Sequence, residues 1–108
     1  MLTISAENQF LTLINVFTVE STQQQRLVDL LILATETSVQ QIAGFVGASL
    51  HRSTDGTKVT MYAQWRSRED YERMRANPTA SPYLDEALTF AQFAPGMYEV
   101  VKVFNNPH

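Results

Sequence analysis

No cysteine occurs in this chain, which removes disulfides, thiolate metal ligands and a cysteine nucleophile together. Histidine is nearly missing as well, and the two present, His51 and the terminal His108, cannot build a histidine-rich metal site. Charge is sparse at 18% of residues, and the net value of -3, with basic residues scattered, excludes the electrostatic footprint that phosphate binding needs. Nucleic acid is therefore not an expected partner. No apolar run approaches the roughly 20 residues of a membrane span, and MLTISAENQF lacks the basic start and apolar stretch of a signal peptide. The expectation is a soluble cytoplasmic protein with no membrane partner.

What is there is an ordinary globular balance, 44% hydrophobic over 108 residues. That length suits one domain spanning 1–108, with short flexible ends at about 1–7 and 105–108. Folding should take roughly two-thirds of the unfolded surface out of water, enough for a single core.

Only four glycines and four prolines punctuate the chain, so each break is informative. Gln9 to Val19 is dense in Phe, Leu, Ile, Val and Thr and reads as a first strand buried on much of both faces, with Asn15 standing out inside it. Ser21 or Thr22 is a candidate helix cap, with Gln24 or Gln25 as the reciprocal partner. The helix that follows carries Leu27, Val28, Leu30, Leu31, Ile32, Leu33 and Ala34, a band too wide for one face packed only on its own sheet. Gly44 is the expected stop.

Phe45 to Ser53 and Lys58 to Trp65 are β-compatible runs joined through Asp55-Gly56, a pair able to supply the positive φ angles of a tight hairpin. Ser67-x-x-Asp70 then caps a helix expected to end before Asn77-Pro78. Ser81-Pro82 restarts a helix in which Leu84, Ala87, Leu88 and Ala91 keep i, i+3, i+4, i+7 spacing, closed by Pro95-Gly96. Met97 to Phe104 is the last strand expected. The order β-α-β-β-α-α-β is a ferredoxin-like α+β layout, an antiparallel sheet with helices on one face. Its other face needs a cover.

The segment from His51 and Ser53 through Tyr62-Ala63-Gln64-Trp65 to Ser67 and Tyr71 resembles the antibiotic biosynthesis monooxygenase family, in particular its cofactor-free polyketide oxygenases acting on anthrones. Those proteins carry a near-copy of H-x-S-x-D-G-x-x-V-x-x-Y-A-Q-W-x-S-x-x-x-Y. The resemblance implies that two subunits put their helix-free sheet faces together as a homodimeric α/β barrel. It also implies an oxygenase that needs no cofactor and no metal, taking an electron-rich quinol or anthrone-like aromatic. Two positions depart from that pattern: Met61 stands where those enzymes have an asparagine, and Asp85 stands where they have an arginine.

Strand alternation sends Val59, Met61, Ala63 and Trp65 to one face. By the resemblance that face lines a substrate pocket, so Trp65 is either a pocket wall that stacks on a flat ring or a core tryptophan closing the sheet. Tyr71 matches a family tyrosine that meets the substrate, against the alternative of a core-facing residue with Met74 at i+3. Asn15 is the buried amide that must find partners, at a cost of roughly 1 to 3 kcal/mol if it does not. Trp65, Tyr71 and Asn15 are thus the catalytic candidates, and Met61, His51, Met74, Leu84 and Asp85 the pocket candidates. His51 shares strand parity with Ser49 and Ser53, which leaves its face open. The rival readings are a non-catalytic dimer binding a small apolar ligand in the same pocket, and, last, haem binding or degradation. The haem-degrading branch needs a tryptophan and a histidine near Met74 and Leu84, and neither is present.

Overall fold

Leu11–Val19, strand β1, is the element around which the rest is built, because it pairs on both edges. The computed structural model describes residues 2–76 and 81–107. On one edge β1 runs antiparallel to β3 (Lys58–Trp65), with Leu11 opposite Trp65 and Asn15 opposite Met61. Beyond β3 lies β2 (Phe45–Arg52), and on the other edge β4 (Ala91–Ala94) and β5 (Met97–Tyr98) both pair with β1. The sheet order β2-β3-β1-β4 is that of a ferredoxin-like α+β fold, with every pairing antiparallel.

Helices α1 (Gln24–Ser38), α2 (Arg68–Arg75) and α3 (Ser81–Ala87) cover the sheet face that carries Leu13, Phe17, Val59, Ala63 and Trp65. Two clusters form this core. Leu27, Leu30 and Leu31 of α1 and Ala87 of α3 pack on Phe17, Val19 and Val59; Tyr71 of α2 packs on Leu13, Ala63 and Trp65. The broad apolar band of α1 is only partly used, since Ile32 and Leu33 stay exposed.

Several local expectations change. Ser21–Gln23 is a short 3₁₀ turn without a side-chain cap, so the capping box does not form. The Gln24 amide instead donates to the carbonyls of Ser53 and Lys58, at 3.1 and 3.0 Å, and ties α1 to the hairpin. In that hairpin only Gly56 takes a positive φ (+85°). Asp55 contributes its carboxylate, which accepts from the Ser53 hydroxyl and from the Thr57 hydroxyl and N–H. The loop is therefore a side-chain-braced turn closed by Ser53 N–H to Lys58 C=O at 2.9 Å.

The third helix is shorter than its spacing suggests. It stops at Ala87, and Ala91, which fits the helical period, begins β4 instead. The reason is a better use for that segment: Ala91–Ala94 completes the free edge of β1, and Phe93 stacks on Phe17 with ring centroids 4.7 Å apart. The last strand is also short. β5 keeps the register of β4 across Pro95-Gly96, with Val16 opposite Ala94 and Thr12 opposite Tyr98. Continued, that register sets Val100 opposite Phe10, which precedes β1, so the strand ends where its partner ends. The expected α2 stop at Asn77-Pro78 lies outside the described residues.

Candidate functional site

A cavity of about 230 Å³ opens between the helices and the inner sheet face, somewhat below the roughly 300 Å³ at which the usual range of ligand sites begins. Strand alternation builds its floor. β1 contributes Leu13, Asn15 and Phe17, and β3 contributes Met61, Ala63 and Trp65, every second residue in each case. The walls come from α1 through Leu31, Ala34 and Thr35, from α2 through Tyr71, Met74 and Arg75, and from α3 through Tyr83, Leu84 and Asp85.

Trp65 is 1% exposed and held from two sides by ring edges, Phe45 at 5.3 Å and Tyr71 at 6.0 Å between centroids. Both pairs lie near perpendicular, at 72° and 61°, which leaves the indole fixed in orientation. Among the described residues neither the Trp65 N–H nor the Tyr71 hydroxyl is spent on a protein hydrogen bond. Asn15 is half spent. Its Oδ1 accepts from the Gly96 N–H at 3.4 Å, at the break between β4 and β5, and its NH₂ remains for another acceptor. The interior thus combines apolar walls with three donors unspent among the described residues.

The α2 helix that carries Tyr71 is fixed by a polar cluster at its start. The Ser67 hydroxyl accepts from the Asp70 N–H at 3.1 Å, and the Asp70 carboxylate takes Arg66 at 3.1 Å and Arg73 at 2.8 Å. Burial raises the Asp70 pKa, but the hydrogen bonds from Arg66, Ser67 and Arg73 and the Arg66 charge outweigh it and hold the group below the usual 3.8. Gly44, at φ +93°, lies against that carboxylate, and a Cβ there would enter the space of Asp70. Gly44 therefore opens β2 rather than ending α1.

Asn15, Met61, Trp65, Tyr71, Met74, Leu84 and Asp85 all line the one cavity. His51 does not. It lies exposed on the helix-free face, opposite Thr60, with its Nε2 2.8 Å from the Ser49 hydroxyl. The cause is a bulge: Phe45 faces Trp65 while Gly47 faces Gln64, so parity counted along β2 changes before His51 is reached. The sequence reading missed Arg75, Thr35 and Tyr83. Arg75 had a readable signal, since it lies four residues after Tyr71 on the same helix.

The antibiotic biosynthesis monooxygenase family model matches residues 10–84. Over 104 residues the chain is 39% identical to a tetracenomycin-F1 monooxygenase of Streptomyces glaucescens, covering 96% of this chain and 93% of the relative. The fold matches a mutant of SnoaB, a cofactor-independent oxygenase from Streptomyces nogalater, with TM-score 0.80 at 18% identity, over 90% of this chain and 98% of that one. It also matches a conserved protein of unknown function from Bacteroides thetaiotaomicron, with TM-score 0.77 at 14% identity, over 86% and 99% of the two chains. A sequence match across most of the length, joined to the same fold, places this chain in the antibiotic biosynthesis monooxygenase family.

Proposed function

We propose that the protein is a cofactor-independent monooxygenase whose substrate is a flat, electron-rich aromatic of quinol or anthrone type. One observation carries this: in a chain 39% identical to a named monooxygenase, Trp65, Tyr71 and Asn15 converge on an apolar cavity with donors unspent among the described residues. In such chemistry the ionised substrate is itself the reductant of O2. For an anthrone, a ring CH₂ becomes a carbonyl: one oxygen atom enters the product, the other leaves as water with the two hydrogens, and the ring supplies all four electrons.

The residues at hand would do three things. Trp65 fixes the plane of the ring, the apolar walls exclude water, and the Asn15 amide and Tyr71 hydroxyl donate to the oxyanion as charge develops. Asn15 reaches the cavity from the residue directly opposite Met61, so the amide donor comes from β1 and not from β3.

The test is oxygen uptake with a dihydroxyanthrone and a hydroquinone panel in the presence of a chelator. Substrate-dependent consumption well above the protein-free rate is expected, and uptake at the protein-free rate overturns the oxygenase reading. Saturable binding without uptake would mark a small-ligand-binding protein instead.

The assembly belongs to the same proposal: a homodimer joined through the helix-free sheet face. Supporting it, that face carries half-buried Ile14, Val16 and Tyr62, and the segment after β5 leaves Val101 and Phe104 83% and 85% exposed. Sedimentation at micromolar concentration should give twice the chain mass; a monomer there contradicts it.

A further inference from the structure

The α2 helix and the turn before it hold four arginines, and three of them have carboxylate partners. Arg66 and Arg73 meet Asp70, and Arg68 meets Glu72 at 2.9 Å. Arg75 is different. Among the described residues it makes no ion pair and no hydrogen bond, and it is the cation among the residues lining the cavity. Residues 77–80, Asn-Pro-Thr-Ala, contain no acid that could claim it. Arg75 is exposed while Trp65 and Tyr71 are buried, so it lies at the rim and they lie in the interior.

The rim has a second charge. Asp85 of α3 also lines the cavity and is likewise exposed and unpaired among the described residues. The opening therefore has a positive side on α2 and a negative side on α3, above an interior without ionised groups. A guanidinium with a free fork is the group best shaped to take a carboxylate in two parallel hydrogen bonds. A carboxylate presented on the α3 side would meet like charge.

We infer that Arg75 is a specificity residue: the cavity takes a polycyclic aromatic that bears a carboxylate, rings inward against Trp65 and the carboxylate outward on the α2 side. The inference rests on the cavity being the substrate site, and it adds the substituent and its direction. Asp85 enforces that direction by repelling the acid from the opposite side. Arg75 acts in binding and has no part in the oxygen chemistry.

Trp65 is the single tryptophan, so its emission reports occupancy of this cavity directly. Titration with anthracenecarboxylate and with its neutral amide gives two affinities per variant. The wild type should prefer the carboxylate by about fivefold, the size of a partly screened charge contact. Arg75→Gln should bring that ratio close to one by weakening the carboxylate more than the amide, and Asp85→Asn should raise it. Arg68→Gln, whose partner Glu72 lies away from the cavity lining, should leave it alone. A wild-type ratio near one, or a preference that survives Arg75→Gln, overturns the inference. Failure of oxygen uptake with the carboxylate preference intact would remove the oxygenase reading and leave this one standing.

Discussion

The two ends of α2 differ in how their polar groups are used. At the start, Ser67 and Arg66 are engaged with Asp70, Arg73 reaches back to it from the last turn, and Gly44 backs them without a side chain. Tyr71, one turn after Ser67, and Arg75, at the helix end, keep their hydroxyl and guanidinium unengaged among the described residues, facing the cavity. The first arrangement holds a helix in place, because buried polar groups are tolerated when they are satisfied. The second leaves capacity for a ligand. Engagement, more than residue type, separates scaffold from site within these ten residues.

The sharpest way to break the contrast is at the scaffold end. Gly44→Ala places a Cβ against the Asp70 carboxyl at a backbone angle that side chains avoid, so a loss on the order of 3 kcal/mol is expected in urea unfolding. An unchanged midpoint would mean that the cluster yields easily.

A smaller effect concerns acid. Because the Asp70 pKa is lowered on folding, its contribution is fully present above the usual 3.8 and is lost as pH falls through the folded value. The thermal midpoint should therefore drop on acidification below about pH 4, and Asp70→Asn should flatten that drop while lowering the neutral-pH midpoint. Asp55 adds to the same slope, since bonds from the Ser53 and Thr57 hydroxyls and the Thr57 N–H hold it at about 2. Asp55→Asn therefore belongs beside it as a control. An identical acid profile in the Asp70 variant would rule out its part in the linkage.

The smallest effect on stability is expected at the cavity end. Tyr71→Phe removes a hydroxyl with no partner among the described residues, so unfolding should change by less than about 0.5 kcal/mol. Oxygen uptake, under the proposed chemistry, should fall about tenfold or more. A large stability loss with unaltered uptake would reverse the assignment of this residue.

Much of this was readable from residue order. Alternation in β3 put Met61, Ala63 and Trp65 on one face, and the Ser67 cap set the phase of α2 so that Tyr71 and Met74 met them. Asn15 declared itself as an amide in an apolar strand. What could not be read depended on partners distant in sequence. Ala91 satisfies a helical period as well as a strand, and the free edge of β1 decided the matter. His51 was carried to the other face by a bulge that only pairing with β3 defines. Arg75 stands apart only through its neighbours, which are paired while it, among the described residues, is not.

Strand β3 is two messages interleaved. Its odd-numbered residues, 59 to 65, speak to the helices and the cavity, and its even-numbered residues, Thr60, Tyr62 and Gln64, speak to the opposite face. Substitutions at odd positions alter the cavity side and leave the helix-free face as it is, and the reverse holds at even positions. Adding or deleting one residue in this strand would exchange the two faces beyond that point unless a bulge absorbed it, as one does in β2.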